Sequence, residues 1–169
     1  MKKFLFFAAF LVVGLSAKAQ VKLSATGGFA YGLSSIETTY DNNEATAFDS
    51  GFYVGGAVQF KINDVVRIKT GLNYVNIDEA NFIQLPAVAQ FYIAGSGFYF
   101  QAGPQLTYTA EEISPEYTHI NIGLGGGAGY EFGRFYVEAR SAFQLNHYYK
   151  GDELTSKVHF GAIGLGYNF

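Results

Sequence analysis

The sequence predicts an all-β chain: an eight-stranded antiparallel, up-and-down, transmembrane β-barrel preceded by an amino-terminal signal peptide. Three observations carry this. After residue 20 the recurring pattern is alternation of apolar and polar residues with period two, and no stretch shows a convincing helical period. The alternating segments run for roughly ten to fourteen residues, where a tilted strand needs about 9 to 11 to cross a bilayer and globular strands average about five or six. The composition is 18% aromatic with 21 Gly, 17 Phe and 13 Tyr, which favours strands over helices.

The first 19 residues read as an export signal. Lys2 and Lys3 precede the apolar run FLFFAAFLVVGL (4–15), and AKA (17–19) supplies the small residues of a cleavage site after Ala19. Twelve apolar residues are too few to anchor the chain as a helix, which needs about 20. The expected organisation is therefore a cleaved signal, 1–19, and one barrel domain, 20–169. Losing Lys2, Lys3 and Lys18 leaves 8 basic and 14 acidic side chains, so the net charge moves from −3 to −6. No basic patch remains to favour nucleic acid. With no Cys, stability in an oxidising compartment has to come from the fold itself.

The strands follow in order. A less regular first segment covers about 21–33. GFYVGGAVQFKI (51–62) puts Phe52, Val54, Val58, Phe60 and Ile62 on one face, with Tyr53, Gly55, Ala57, Gln59 and Lys61 on the other. VVRIKTGLNYVN (65–76) separates Val66, Ile68, Leu72 and Tyr74 from Arg67, Lys69, Gly71 and Asn73. FIQLPAVAQFYI (82–93) separates Ile83, Leu85, Phe91 and Ile93 from Gln84, Pro86, Val88 and Gln90. FYFQAGPQLTYT (98–109) sets Phe98, Phe100, Leu106 and Tyr108 against Gln101, Gly103, Gln105 and Thr107. A glycine-rich segment covers about 118–132, and RFYVEARSAFQLNHYY (134–149) sets Phe135, Val137 and Phe143 against Glu138, Arg140 and Gln144. The last strand spans about 157–169.

Short connections (63–64, 95–97 and a turn near Gly133) alternate with longer ones (34–50, 77–81, 110–117 and 150–156). That asymmetry is the pattern of outer-membrane barrels, with short turns in the periplasm and long loops outside. A soluble barrel of lipocalin type would show the same periodicity with its apolar faces inward. Aromatics at strand ends (Tyr31, Phe52, Tyr74, Phe98, Tyr108, Tyr130 and Phe132) favour the membrane version, because girdles of rings mark both interfaces.

The stretches FIQLPAVAQFYI with FYFQAGPQLTYT, GLGGGAGYEF with FYVEARSAF, and GLGYNF resemble the small outer-membrane protein beta-barrel domain family (porin-like, similar to the OmpX and OmpA barrels) of Gram-negative bacteria. The resemblance covers the mature chain. It implies location in the cell outer membrane and assembly by the outer-membrane barrel insertion machinery. It also implies that Leu165, Tyr167 and Phe169 form the assembly signal, so that loss of Phe169 impairs insertion.

The lumen assignment gathers Lys69, Glu138, Arg140, Gln101, Gln105 and Gln144 into an interior polar network, with Lys22, Lys61, Arg67 and Glu131 nearer the periplasmic rim. An eight-strand interior is only wide enough for its own side chains, so the first expectation is a plugged lumen. A narrow pore lined by those bases is the alternative. The outer connections hold Glu37, Asp41, Glu44, Asp49, Asp78, Glu79, Glu111, Glu112, Glu116, Asp152 and Glu153 against Lys150 and Lys157. Carboxylates suit Ca²⁺ and Mg²⁺, which makes divalent cations at a lipopolysaccharide surface a possible partner, although no segment has calcium-loop spacing and a solvated acidic rim is the simpler account.

Catalysis needs a hydroxyl near an oriented His. His119, His147 and His159 offer no such arrangement: Ser141 and His147 share a strand but lie about 20 Å apart at roughly 3.3 Å per residue. The expected class is thus a non-enzymatic surface or structural protein without cofactor, with a lipid-modifying enzyme as a further alternative. GLGGGAG (123–129) lacks the last Gly of a dinucleotide loop, is followed by no helical pattern and has no acidic partner about 20 residues on.

Overall fold

The computed structural model describes residues 21–38, 44–110, 118–146 and 154–169. Eight strands follow one another: β1 (Val21–Thr38), β2 (Glu44–Lys61), β3 (Val66–Ile77), β4 (Ala80–Tyr92), β5 (Phe98–Thr109), β6 (Ile120–Phe132), β7 (Phe135–Gln144) and β8 (Leu154–Asn168). Each pairs antiparallel with its sequence neighbours, and β1 pairs with β8, so the sheet closes. Closure leaves no strand edge with unpaired N–H and C=O groups, which is the condition for a sheet to stand in hydrocarbon. The expected signal, 1–19, lies outside the described residues.

The two faces separate as the alternation predicts. Outward residues are large, apolar and exposed, among them Phe100, Phe143, Ile163 and Leu165 at 55–61%. Inward residues include buried Gln84, Gln90, Gln101, Asn73 and Glu138. A soluble barrel would invert this, since its apolar set would be the buried one. The outer surface is therefore a lipid-facing belt. Ile163 stands near its middle, paired with Phe29 on one side and Ala139 on the other. Ile163→Arg should accordingly cost about 2 kcal/mol, the lower end for Arg near a bilayer midplane. Urea unfolding of the refolded protein in lipid vesicles reads this directly, and a midpoint equal to wild type would remove Ile163 from the belt.

Rings frame the belt at both ends. Around the short-turn end Phe98, Tyr130, Phe132, Phe135, Tyr167 and Phe169 form a continuous series over β5 to β8, with successive centroids 4.4 to 6.1 Å apart. At the opposite end Tyr31 stacks on Phe48, Phe52 meets Tyr74, and Tyr108 stacks on His119. All seven girdle aromatics read from the sequence thus contact another ring.

Three connections differ from expectation in length. The segment 34–50 is largely strand, because β1 and β2 continue as a paired ribbon to Glu37↔Glu44. The segment 77–81 closes as a two-residue hairpin on Asp78 and Glu79, flanked by the pair Ile77↔Ala80. Asp78 takes φ 54° there, a left-handed conformation that Asp tolerates better than most residues. Strand β7 stops at Gln144, where 149 was expected. The short turns match expectation. In one, the Asn63 side chain accepts from the backbone N–H of Val65 and Val66 at 2.9 and 2.7 Å, and a hydrogen bond from Lys61 holds the exposed Asp64 carboxyl below its usual range. In another, Gly133 supplies φ 66°.

Candidate functional site: the lumen and its loop-side mouth

The lumen fills in layers, and the side chains that fill it come from strands on opposite walls. Nearest the short turns, Glu131 on β6 is the hub. Its carboxylate accepts from Lys22 at 2.5 Å, from Arg67 at 2.8 Å and from the Tyr92 hydroxyl at 2.9 Å. The Arg67 guanidinium lies 3.8 Å from the Tyr92 ring centroid, a cation–π contact. Gln59 donates to Gln90 at 2.6 Å, and Gln90 to Gln101 at 3.1 Å, so a chain of amides continues the layer across β2, β4 and β5.

One layer deeper, Lys69 on β3 reaches across to Glu138 on β7 at 2.7 Å, both side chains under 10% exposed. Tyr99 donates to the same carboxylate oxygen at 2.8 Å, and the Lys69 ammonium sits 4.5 Å from the Tyr136 ring centroid. A buried ion pair is tolerated only when its remaining hydrogen-bonding capacity is met, and Tyr99 supplies part of that here. Arg140 also projects inward from β7, with its guanidinium 4.6 Å from the Tyr53 ring centroid on β2. Its Nη2 is buried without a hydrogen-bond partner among the described residues. The adjoining cavity of about 30 Å³ is large enough for water.

Above these polar layers the lumen turns apolar. Ala30, Tyr53, Val75, Ile77, Phe160 and Ala162 form a buried cluster, with Phe82 and Val158 packed on it. Phe82 on β4 meets Phe160 on β8 edge to face at 5.1 Å, again across the barrel. Through the polar and apolar layers the lumen breaks into separate cavities of about 10 to 30 Å³. Beyond the apolar layer it opens into a cup of about 290 Å³ at the loop end.

Of the residues expected in the network, Lys69 and Glu138 pair directly and Gln101 joins the amide chain. Among the described residues Gln105 reaches only Thr107, at 3.4 Å. Gln144 bonds Asn121 and accepts the Val158 N–H at 2.8 Å, which places it beside the apolar layer and away from the ion pairs. Arg140 is next to the network but stacked on Tyr53. The sequence reading passed over the inward tyrosines Tyr92, Tyr99 and Tyr136. Their signal was strand parity, since each occupies the same face as Gln90, Gln101 or Glu138.

Leu165, Tyr167 and Phe169 all face outward on the last strand, where the Phe169 N–H donates to the Leu23 carbonyl at 2.9 Å and ties the β1–β8 seam. His119 lies 3.3 Å from the Thr109 carbonyl, and His159 packs its ring against Phe143. His147 lies outside the described residues. So do the side chains of most loop acids, Asp49, Asp78 and Glu79 being the described exceptions.

No family model matches the chain, and no curated protein matches it. Solved structures do. Neisserial surface protein A superposes with a TM-score of 0.53 at 13% identity, over 87% of this chain and 97% of that one. Ail, the attachment invasion locus protein of Yersinia pestis, gives 0.50 at 15% identity, over 88% and 99%. At such identities the likeness is one of fold. With the closed eight-strand topology and the lipid-facing belt, the fold is that of the small outer-membrane β-barrels.

Proposed function

We propose that this protein is a closed outer-membrane barrel that acts through its loop-side surface, with its lumen serving as a structural plug. The observation that supports this is the set of ties between opposite walls: Lys69 to Glu138, Arg67 to Glu131, Arg140 to Tyr53 and Phe82 to Phe160. A solute path would have to part all four, two of them charged pairs in a low-dielectric interior. On this reading the loop end faces the exterior among lipopolysaccharide headgroups, with divalent cations as counter-ions to its acids. The stripe of Leu165, Tyr167 and Phe169 is the segment that the insertion machinery engages. No catalytic role or cofactor is assigned.

Planar-bilayer recording of the refolded protein tests the closed lumen. The expected result is silence under conditions where a control porin conducts. Steady single-channel steps would overturn the plug and favour the narrow channel.

A further inference from the structure

The cup at the loop end has a floor and a rim of different chemistry. Ile77, Phe82, Val158 and Phe160 line its floor, and Asp49, Asp78 and Glu79 stand on its rim. At about 290 Å³ it approaches the size of small-molecule sites. Most of the barrel's inward surface is either polar or sealed by a neighbour. Here the half-buried Phe82 and Val158, beside the buried Ile77 and Phe160, line an opening.

Burial of an apolar body on that floor would be favourable in proportion to the area removed from water. The two rings, held edge to face at 5.1 Å, make part of that floor aromatic. The three rim carboxylates are exposed. Among the described residues no three carboxylates or histidines converge as metal ligands. The rim therefore sets a diffuse negative potential over an apolar pocket.

We infer that the cup binds a small organic cation: an ammonium group carried on one aromatic ring or short alkyl chain, seated with its apolar body on Phe82 and Phe160 and its charge at the rim. An anion of the same shape meets repulsion at the rim. An inorganic cation gains nothing from the floor. The inference rests on the closed-lumen reading, because the apolar layer that closes the lumen is also the floor of the cup.

The test titrates the full refolded protein, in zwitterionic detergent, with phenethylammonium, phenylacetate and tetramethylammonium, read by amide chemical shifts. The expected result is saturable shifts at residues 77–82 and 158–160 with phenethylammonium, and affinities at least roughly tenfold weaker for the other two. Val158→Trp, which sets an indole on the floor of the cup, should abolish the shifts. The triple variant Asp49→Asn, Asp78→Asn, Glu79→Gln should weaken phenethylammonium by about tenfold and bring it level with phenylacetate. Equal binding of phenethylammonium and phenylacetate to wild type would overturn the inference. So would shifts confined to outward positions such as Phe143 and Ile163, which report partition into detergent, or an absence of shifts. Conductance with binding intact would remove the plug and leave the cup, whereas silence without binding would remove the cup alone.

Discussion

Replacing Glu138 by Gln should destabilise the barrel by about 3 to 5 kcal/mol, the cost of stripping a buried ion of its partner. Glu138 is the acceptor for Lys69 at 2.7 Å and for Tyr99 at 2.8 Å, and Arg140 lies close enough to act on its charge. Its neutralisation leaves the Lys69 ammonium without its carboxylate in a low-dielectric interior that also holds the Arg140 cation, and a hydroxyl without its charged acceptor. Lys69→Met should cost less, because Arg140 remains to offset the carboxylate.

The double variant Lys69→Met, Glu138→Gln should be more stable than Glu138→Gln alone, since one of the two unpaired cations is gone. Such non-additivity is the signature of direct coupling. Equilibrium urea unfolding of the four proteins in vesicles supplies the cycle. A Glu138→Gln cost below about 1 kcal/mol, in the range of exposed pairs, would mean that water reaches the pair and the lumen is wetter than its packing implies.

The sequence made one half of this site legible and hid the other, for a physical reason. Side chains alternate across a strand, so parity alone put Lys69, Glu138, Gln101 and Arg140 inside and Phe143 and Leu165 outside. Parity says nothing about height. Which inward residue stands level with which on the far wall depends on the register of every intervening pair. Lys69 meets Glu138 because the strands tilt: the row of pairs from Glu138 reaches β3 at Val75 through Gly164, Gly28 and Tyr53, and beside Val65 through Gly129, Tyr99 and Tyr92, and Lys69 lies between those two points. Gln144 has the same parity as Glu138 but lies six residues further up β7, among apolar neighbours. The apolar layer was hidden for a different reason. Val75, Ile77 and Phe160 share a face with polar residues, and an alternation rule assigns the face and not each residue's surroundings. The segment 34–50 reads as a loop because Ser, Thr, Asp and Asn crowd it, while pairing between β1 and β2 sustains strand through most of it.

Barrel closure itself yields the second large effect. Tyr53, Gly28, Gly164 and Glu138 form one row across β2, β1, β8 and β7. A Cβ added at Gly28 would fall inside the van der Waals envelope of the Ile163 carbonyl and the Gly164 Cα. Those are backbone atoms and cannot rotate away, so Gly28→Ala would have to part β1 from β8. In hydrocarbon, ladder bonds opened there find no water to replace them. The expected cost is about 3 kcal/mol, the upper part of the usual range for overpacking.

Gly125 is the control. It also faces the lumen, yet its added Cβ would meet the Ser141 carbonyl at 3.4 Å and the Ala142 Cβ at 3.7 Å, ordinary contact distances. Gly125→Ala also restricts the unfolded chain, which favours the folded state by about 0.4 to 1 kcal/mol, so it should stay within about 1 kcal/mol of wild type. Urea midpoints together with heat-modifiable gel mobility compare the two. If both alanines cost the same, glycine at Gly28 reflects only the general crowding of a small lumen; if Gly28→Ala alone opens the barrel, the β1–β8 seam depends on the close approach of two bare backbones at this row.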